Sequence, residues 1–192
     1  MSVPVFEAQK KRALERLRIG GADEEAKAIL EKLNRLERFF TTSSCSGRIA
    51  LLCIPEIGAK REAEFIGKWH RPVETGEVQD AIFNAERDEI WLIAQSPILH
   101  VACLGLDSAK ALLRIAIESG FKYSGIKAIS PDGLKVVVEI MSTERMDVPL
   151  GADGEMLCPE SYIEFVVSKA NFMLERGKKK LKRLYHGLNE LE

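Results

Sequence analysis

Residues 89–104 read EIWLIAQSPILHVACL, two seven-residue apolar runs parted by Ser96-Pro97. Each run is short for a helix, carries β-branched or aromatic side chains, and meets a turn dipeptide, so both predict strands, 89–95 and 98–104. Downstream, Asp107 or Ser108 is placed to cap a helix that turns Ala109, Leu112, Leu113 and Ala116 inward and stops at Gly120. Strands 123–130 and 134–140 (LKVVVEI) then form a hairpin about Pro131-Asp132-Gly133, a strong turn signal. Upstream, 47–54 (GRIALLCI) and 64–70 (EFIGKWH) read as strands. Thr75 caps a helix whose inner face is Val78, Ala81, Ile82 and Ala85.

The termini are helical. Segments 5–19 and 23–40 read as two helices broken at Gly20-Gly21, the second capped by Asp23 and carrying Ala26, Ile29, Leu30, Leu33, Leu36 and Phe40 at helical spacing. A less regular loop, 142–159, precedes a long helix at 160–188 with an apolar stripe from Ile163 and Val166 to Leu184 and Leu188. Strand–strand–helix thus occurs three times, as a repeat of topology and not of alignable sequence. Paired strands parted by helices predict an α+β fold, in which helices pack on a mixed or antiparallel sheet holding strands near 47–54, 89–95, 98–104 and 134–140. The alternation is wrong for a doubly wound Rossmann sheet. One domain over 1–192 is expected, with N-terminal helices at 1–40, an α+β core at 41–158 and a C-terminal helix at 159–192.

Composition narrows the function classes. The chain has 192 residues, 46% of them hydrophobic and 30% charged, and Lys+Arg 28 against Asp+Glu 29 leaves a net charge of -1. A basic site must therefore come from local clustering. No apolar run approaches the ~20 residues of a membrane span, and MSVPVFEAQKKRALERL has no continuous apolar segment of the secretory kind. A cytoplasmic protein without membrane contact is expected. Four cysteines stand far apart, with no CxxC and no nearby His pair, so neither a metal site nor a disulfide framework is predicted. The 14 glycines contain no GxG, and GK[ST], HExxH and GxSxG are likewise missing.

Four segments carry chemistry. Residues 41–48 (TTSSCSGR) offer small hydroxyl donors, a permissive Gly47 and the planar fork of Arg48, a set that suits an anion. They suit a plain Ser/Thr turn as well. Lys68-Trp69-His70-Arg71 at a strand end places a stacking ring among cations, or equally a core anchor among solvated charges. His100 interrupts an alternating apolar run, as a site residue or more simply as a hydrogen-bonded core histidine, and Ser142–Asp147 (STERMD) sets ionisable groups at a strand exit or forms a plain polar turn. Basic residues at 176–183, Lys179 and Arg183 among them, can meet phosphates or simply solvate a helix end.

SSCSGR before a strand, GKWH, PILHVACL, GFKYSGIKA and VVVEIMSTERMDVPL together resemble the tRNA wybutosine-synthesising protein 3 family in its archaeal form. The resemblance runs from Phe6 to the final helix, where Ala170-Asn171 also fits. It implies methyl transfer from S-adenosylmethionine to the N4 ring nitrogen of a tricyclic 4-demethylwyosine-type guanosine at position 37, in the anticodon loop of phenylalanine tRNA. With no GxG turn, the cofactor's carboxylate is expected on Ser44, Cys45, Ser46, Gly47 and Arg48. Lys68, Trp69, Arg145, Lys179 and Arg183 are expected to bind tRNA, with Trp69 stacking on the purine-like base or on the cofactor's adenine. His100, His70 and Asp147 are the candidates for proton removal. The 41–48, 68–70, His100 and 143–147 segments are expected around one cleft. Two further readings stand: a non-catalytic tRNA-binding module, and a Cys45-dependent hydrolase. Nothing in the sequence indicates the oligomeric state.

Overall fold

Helix α1 (Val3–Gly20) and helix α2 (Glu24–Arg35) open the chain, followed by β1 (Phe39–Cys45), β2 (Arg48–Ile54) and β3 (Glu64–Trp69). Then come α3 (Thr75–Phe83), β4 (Glu89–Gln95), β5 (Ile98–Leu104), α4 (Gly105–Glu118), β6 (Gly125–Ile129) and β7 (Lys135–Met141). β8 (Met146–Ala152), β9 (Glu155–Met156), the long α5 (Glu160–Gly187) and a closing 3-10 turn (Leu188–Leu191) complete it. The computed structural model describes residues 3–59, 61–83, 88–152 and 155–192. No helix among them is long and apolar enough to cross a membrane.

The fold is α+β, and every strand pairing is antiparallel. The strands divide between two sheets, where one was expected: β1-β5-β7-β6 and β3-β2-β4-β8-β9. Ser96-Pro97 therefore links strands of different sheets, and segments 89–95 and 98–104 never pair. The chain separates accordingly into two compact units, residues 1–46, 97–143 and 177–192 in the first and 47–96 and 144–176 in the second.

In the first unit, alternation sends Leu99, Val101 and Cys103 of β5 and Val136, Val138 and Ile140 of β7 to one face. They meet Ile29, Leu30 and Leu33 of α2, Leu112 and Ile115 of α4, and Leu181 and Leu184 of α5. Gly120 ends the α4 region as expected: its φ is 100°, and the Phe121 N–H reaches back to Ala116 O at 2.9 Å. The other sheet face is only partly covered. There Phe6 and Ala13 of α1 pack on Phe40 and Ala102, with the Phe6 and Phe40 rings edge-on at 4.9 Å.

In the second unit, Ile49, Leu51, Ile90, Leu92 and Leu150 face Val78 and Ile82 of α3 and Ile163, Val166, Val167, Ala170 and Leu174 of α5. Asn171 ties the helix down by accepting from the Val73 N–H at 2.9 Å and donating to Val73 O at 2.8 Å.

Local expectations fail in four places. The helix expected over 23–40 stops at Arg35, and Phe40 turns up buried in β1. Paired aromatic and β-branched residues at 39–42 favour extended backbone over another helical turn. Asp23 stands at the N-cap of α2 as expected, but its side chain makes no capping bond there and its carboxylate accepts from Ser46 instead. Helix α4 starts at Gly105, ahead of Asp107 and Ser108, and Ser108 is buried on its inner side. The loop expected at 142–159 contains β8 and β9. Ala85, expected on the inner face of α3, lies outside the described residues.

Candidate functional site

The polar chemistry of the first unit begins at a bulge. β1 runs antiparallel to β5 with its register slipped between Thr41 and Ser43. Thr41 is buried and held by Asn34, which accepts from its N–H and donates to its hydroxyl, each at 2.9 Å. The slip lets the Thr42 hydroxyl donate to His100 O at 3.2 Å and sets Ser43 opposite His100. Ser43 Oγ lies 2.8 Å from His100 Nδ1, and His100 Nε2 lies 2.7 Å from Glu139 Oε2. Lys127 Nζ donates to the other Glu139 oxygen at 3.1 Å. Burial pushes the Glu139 carboxyl up, but the bonds from Lys127 and His100 outweigh it and hold the group below the usual carboxylate range.

Ser43 is exposed and borders a cavity of about 300 Å³ with Ser44, Arg16 and Leu17. Arg16 and Thr42 also border a larger hollow of about 650 Å³, together with Arg12, Phe40, Lys135 and Val137. Both open where α1 leaves the second sheet face uncovered.

Of the residues expected at the site, Ser44, Cys45, Ser46, His100, Lys179 and Arg183 belong to the first unit. Gly47, Arg48, Lys68, Trp69, His70, Arg145 and Asp147 belong to the second. Ser44 pairs with Leu99 and Cys45 with Ile98, both half-buried. Ser46 is buried, and its N–H and hydroxyl both donate to Asp23 Oδ2, at 2.6 and 3.1 Å. Both bonds hold the strand exit in place. Gly47 has a φ of 95°, a conformation that a side chain would strain. On α5, Lys179 and Arg183 are exposed, whereas Lys178 pairs with Glu25 at 2.9 Å and buried Lys180 donates to Ser142 Oγ at 2.6 Å.

In the second unit, Arg48 donates from Nε to Gln95 Oε1 at 2.6 Å and lays its guanidinium 5.1 Å from the Phe65 ring centre. Phe65 and Gln95 line a cavity of about 570 Å³ with Trp91, Ile93, Arg145 and Asp147. Its floor is apolar and aromatic, and the Arg145–Asp147 ion pair at 2.7 Å stands at its rim. The Trp91 indole N–H is held by Glu89 at 2.9 Å, which fixes the ring. Trp69, expected to stack on a base, is half-buried, packed against the core with its ring over Gly67. The aromatic side chains lining the cavity are Trp91, which is half-buried, and Phe65, which is exposed. Lys68 is exposed, and His70 Nδ1 donates to Gly47 O at 2.9 Å.

The sequence singles out Ser43 only as part of the 41–48 segment, and it does not single out Lys127, Glu139, Trp91, Phe65 or Gln95. One signal was available: Glu139 sits within KVVVEIM as His100 sits within ILHVACL, each a polar break in an apolar strand.

A family model described as Methyltransferase TYW3 matches residues 7–190. A tRNA(Phe) 7-((3-amino-3-carboxypropyl)-4-demethylwyosine(37)-N(4))-methyltransferase from Thermococcus sibiricus is 46% identical over 191 residues, covering 97% of this chain and 96% of that protein. A relative with the same enzyme name, numbered 1, from Thermococcus kodakarensis is also 46% identical over 191 residues, with the same coverage. A solved structure of a Pyrococcus horikoshii protein superposes with a TM-score of 0.92 at 46% identity, covering 97% of each chain. Likeness of this extent, in sequence and in fold, means that the chain belongs to the Methyltransferase TYW3 family.

Proposed function

We propose that this chain methylates N4 of 7-(3-amino-3-carboxypropyl)-4-demethylwyosine at position 37 of phenylalanine tRNA, with S-adenosylmethionine as methyl donor. The observation that carries the reading is 46% identity, along 97% of the chain, to relatives named for that reaction.

The donor supplies an activated methyl group on a sulfonium. The residues of the second unit suit it chemically: a guanidinium for its carboxylate from Arg48, aromatic faces for adenine from Phe65 and Trp91, and the acceptor oxygens of Asp147 for hydroxyls. Ser44 and Cys45 add polar groups at the end of β1, and Ser46 and Gly47 shape the backbone there. Lys68, Arg145, Lys179 and Arg183 bind tRNA phosphates, and Trp69 supports the strand that carries Lys68.

Proton removal falls to His100. Asp147 is ion-paired with Arg145, and His70 bonds through Nδ1 to an uncharged backbone carbonyl, which compensates an imidazolium less than a carboxylate does. His100 is oriented at both ring nitrogens, by Glu139 at Nε2 and at Nδ1 by Ser43, which itself lines a cavity.

Incubation of the protein with methyl-labelled S-adenosylmethionine and precursor phenylalanine tRNA, followed by nucleoside mass spectrometry, tests the proposal. Label on the tricyclic base is expected. Tight tRNA binding with no label transferred would instead identify a non-catalytic binding module.

A further inference from the structure

The hydrogen-bond chain Ser43–His100–Glu139–Lys127 takes one residue from each of the four strands of the first sheet. Its chemistry has a direction. The lysine ammonium only donates and the ionised Glu139 only accepts, so the hydrogen between His100 and Glu139 sits on Nε2. A neutral imidazole then keeps its lone pair at Nδ1, and the Ser43 hydroxyl must donate to it. Both ring nitrogens of His100 are thereby engaged, and the chain ends at Ser43 Oγ, an exposed group on the cavity of about 300 Å³.

We infer that Ser43, standing in front of His100, is the residue that meets the proton of the reacting ring nitrogen, and that Glu139 is a positioning residue acting through His100. This rests on the methyl-transfer reading above. As the ring N–H bond breaks, its proton joins Ser43 Oγ while the proton of Ser43 passes to Nδ1. The nitrogen's electron pair bonds the methyl carbon, and the pair of the breaking C–S bond stays on sulfur. The imidazolium so formed faces the Glu139 carboxylate, whose second oxygen Lys127 holds. It returns its proton to water through Ser43 once product leaves. Arg16 of α1 also borders the cavity, and its guanidinium favours carboxylate and phosphate partners.

Two measurements decide it. Nitrogen–proton correlation spectra of the free protein report the imidazole tautomer, and steady-state methyl transfer reports the role of each side chain. His100 is expected as the Nε2–H tautomer, with that preference lost in Glu139→Gln. Ser43→Ala and Glu139→Gln are each expected to lower kcat by roughly ten- to a hundredfold with KM little changed, and Ser43→Thr to restore most of the rate. An Nδ1–H tautomer in the wild type, or a Ser43→Ala variant at wild-type rate, overturns the relay and leaves the methyltransferase reading standing. A wild type that labels no precursor tRNA overturns both.

Discussion

Arg48 has two neighbours that hold its guanidinium flat along the second sheet, the Gln95 carboxamide at 2.6 Å and the Phe65 ring at 5.1 Å. A lysine keeps the charge but offers neither the planar fork nor the stacking surface. Arg48→Lys is therefore expected to weaken S-adenosylmethionine binding and methyl transfer about ten- to a hundredfold, about 1.4–2.7 kcal/mol. The lost bond to Gln95 should cost only about 1 kcal/mol of stability. Titration calorimetry beside a thermal melt separates the two. Unchanged affinity removes Arg48 from the cofactor site, and a collapse of folding makes it a structural partner of Gln95. Arg48 was legible in the sequence because a guanidinium at the head of an apolar strand needs a polar outlet. Trp91 was not. Both tryptophans lie in strands and are half-buried, and only the long-range packing shows that Trp69 lies over Gly67 whereas Trp91 lines a cavity.

Among the elements, α5 was the most legible, because its apolar stripe holds the helical period, and Ile163, Val166, Val167, Ala170, Leu174, Leu181 and Leu184, with Leu188 just beyond the helix, are all buried. β1 and β8 were not. Thr41–Cys45 is small and polar, and it becomes a strand only because Asn34 and β5 satisfy its backbone and side chains. In β8, Pro149 and Gly151 argue against a strand, yet the ladder slips between Ile90 and Trp91 opposite Pro149 and absorbs it. Helix α5 also contains Gly177, where alanine would ordinarily gain about 1 kcal/mol of helix propensity. Here a Cβ would stand 2.6 Å from Cδ and 3.0 Å from Cγ of Pro97, a rigid ring. Overpacking of that kind costs about 1–3 kcal/mol and outweighs the propensity. Gly177→Ala should therefore lower Tm by roughly 2–4 °C for each kcal/mol of net loss. A Tm raised by the substitution would show that the Pro97 turn yields.

For the molecule as a whole, period and turn chemistry located most strands and helices, but local pattern carries no information on which strands share a sheet. The link at Ser96-Pro97 reads as a hairpin, and only the long-range ladders β2 to β4 and β5 to β7 assign its two arms to different sheets. Electrostatics bears on both units. Glu25 lies below the usual carboxylate range, chiefly through its hydrogen bond from Lys178. Glu77 is held at about 2 by the Arg71 guanidinium and the Glu74 N–H, but it is a solvent-screened surface pair and adds little. Glu139 is lowered because Lys127 and His100 overcome its burial, and its side chain is only 15% exposed. Such carboxylates bind protons more weakly in the folded chain than in the unfolded one. Their stabilisation is complete above the unfolded carboxylate pKa near 4.3 and disappears as pH falls through their lowered folded values. Tm should thus be level near neutrality and fall progressively below about pH 5. Glu139→Gln cannot take up a proton, so it should start lower at pH 7 and fall less steeply in acid. A variant melting curve parallel to wild type from pH 7 to about pH 3 would show that the His100–Glu139–Lys127 contacts add nothing to the fold.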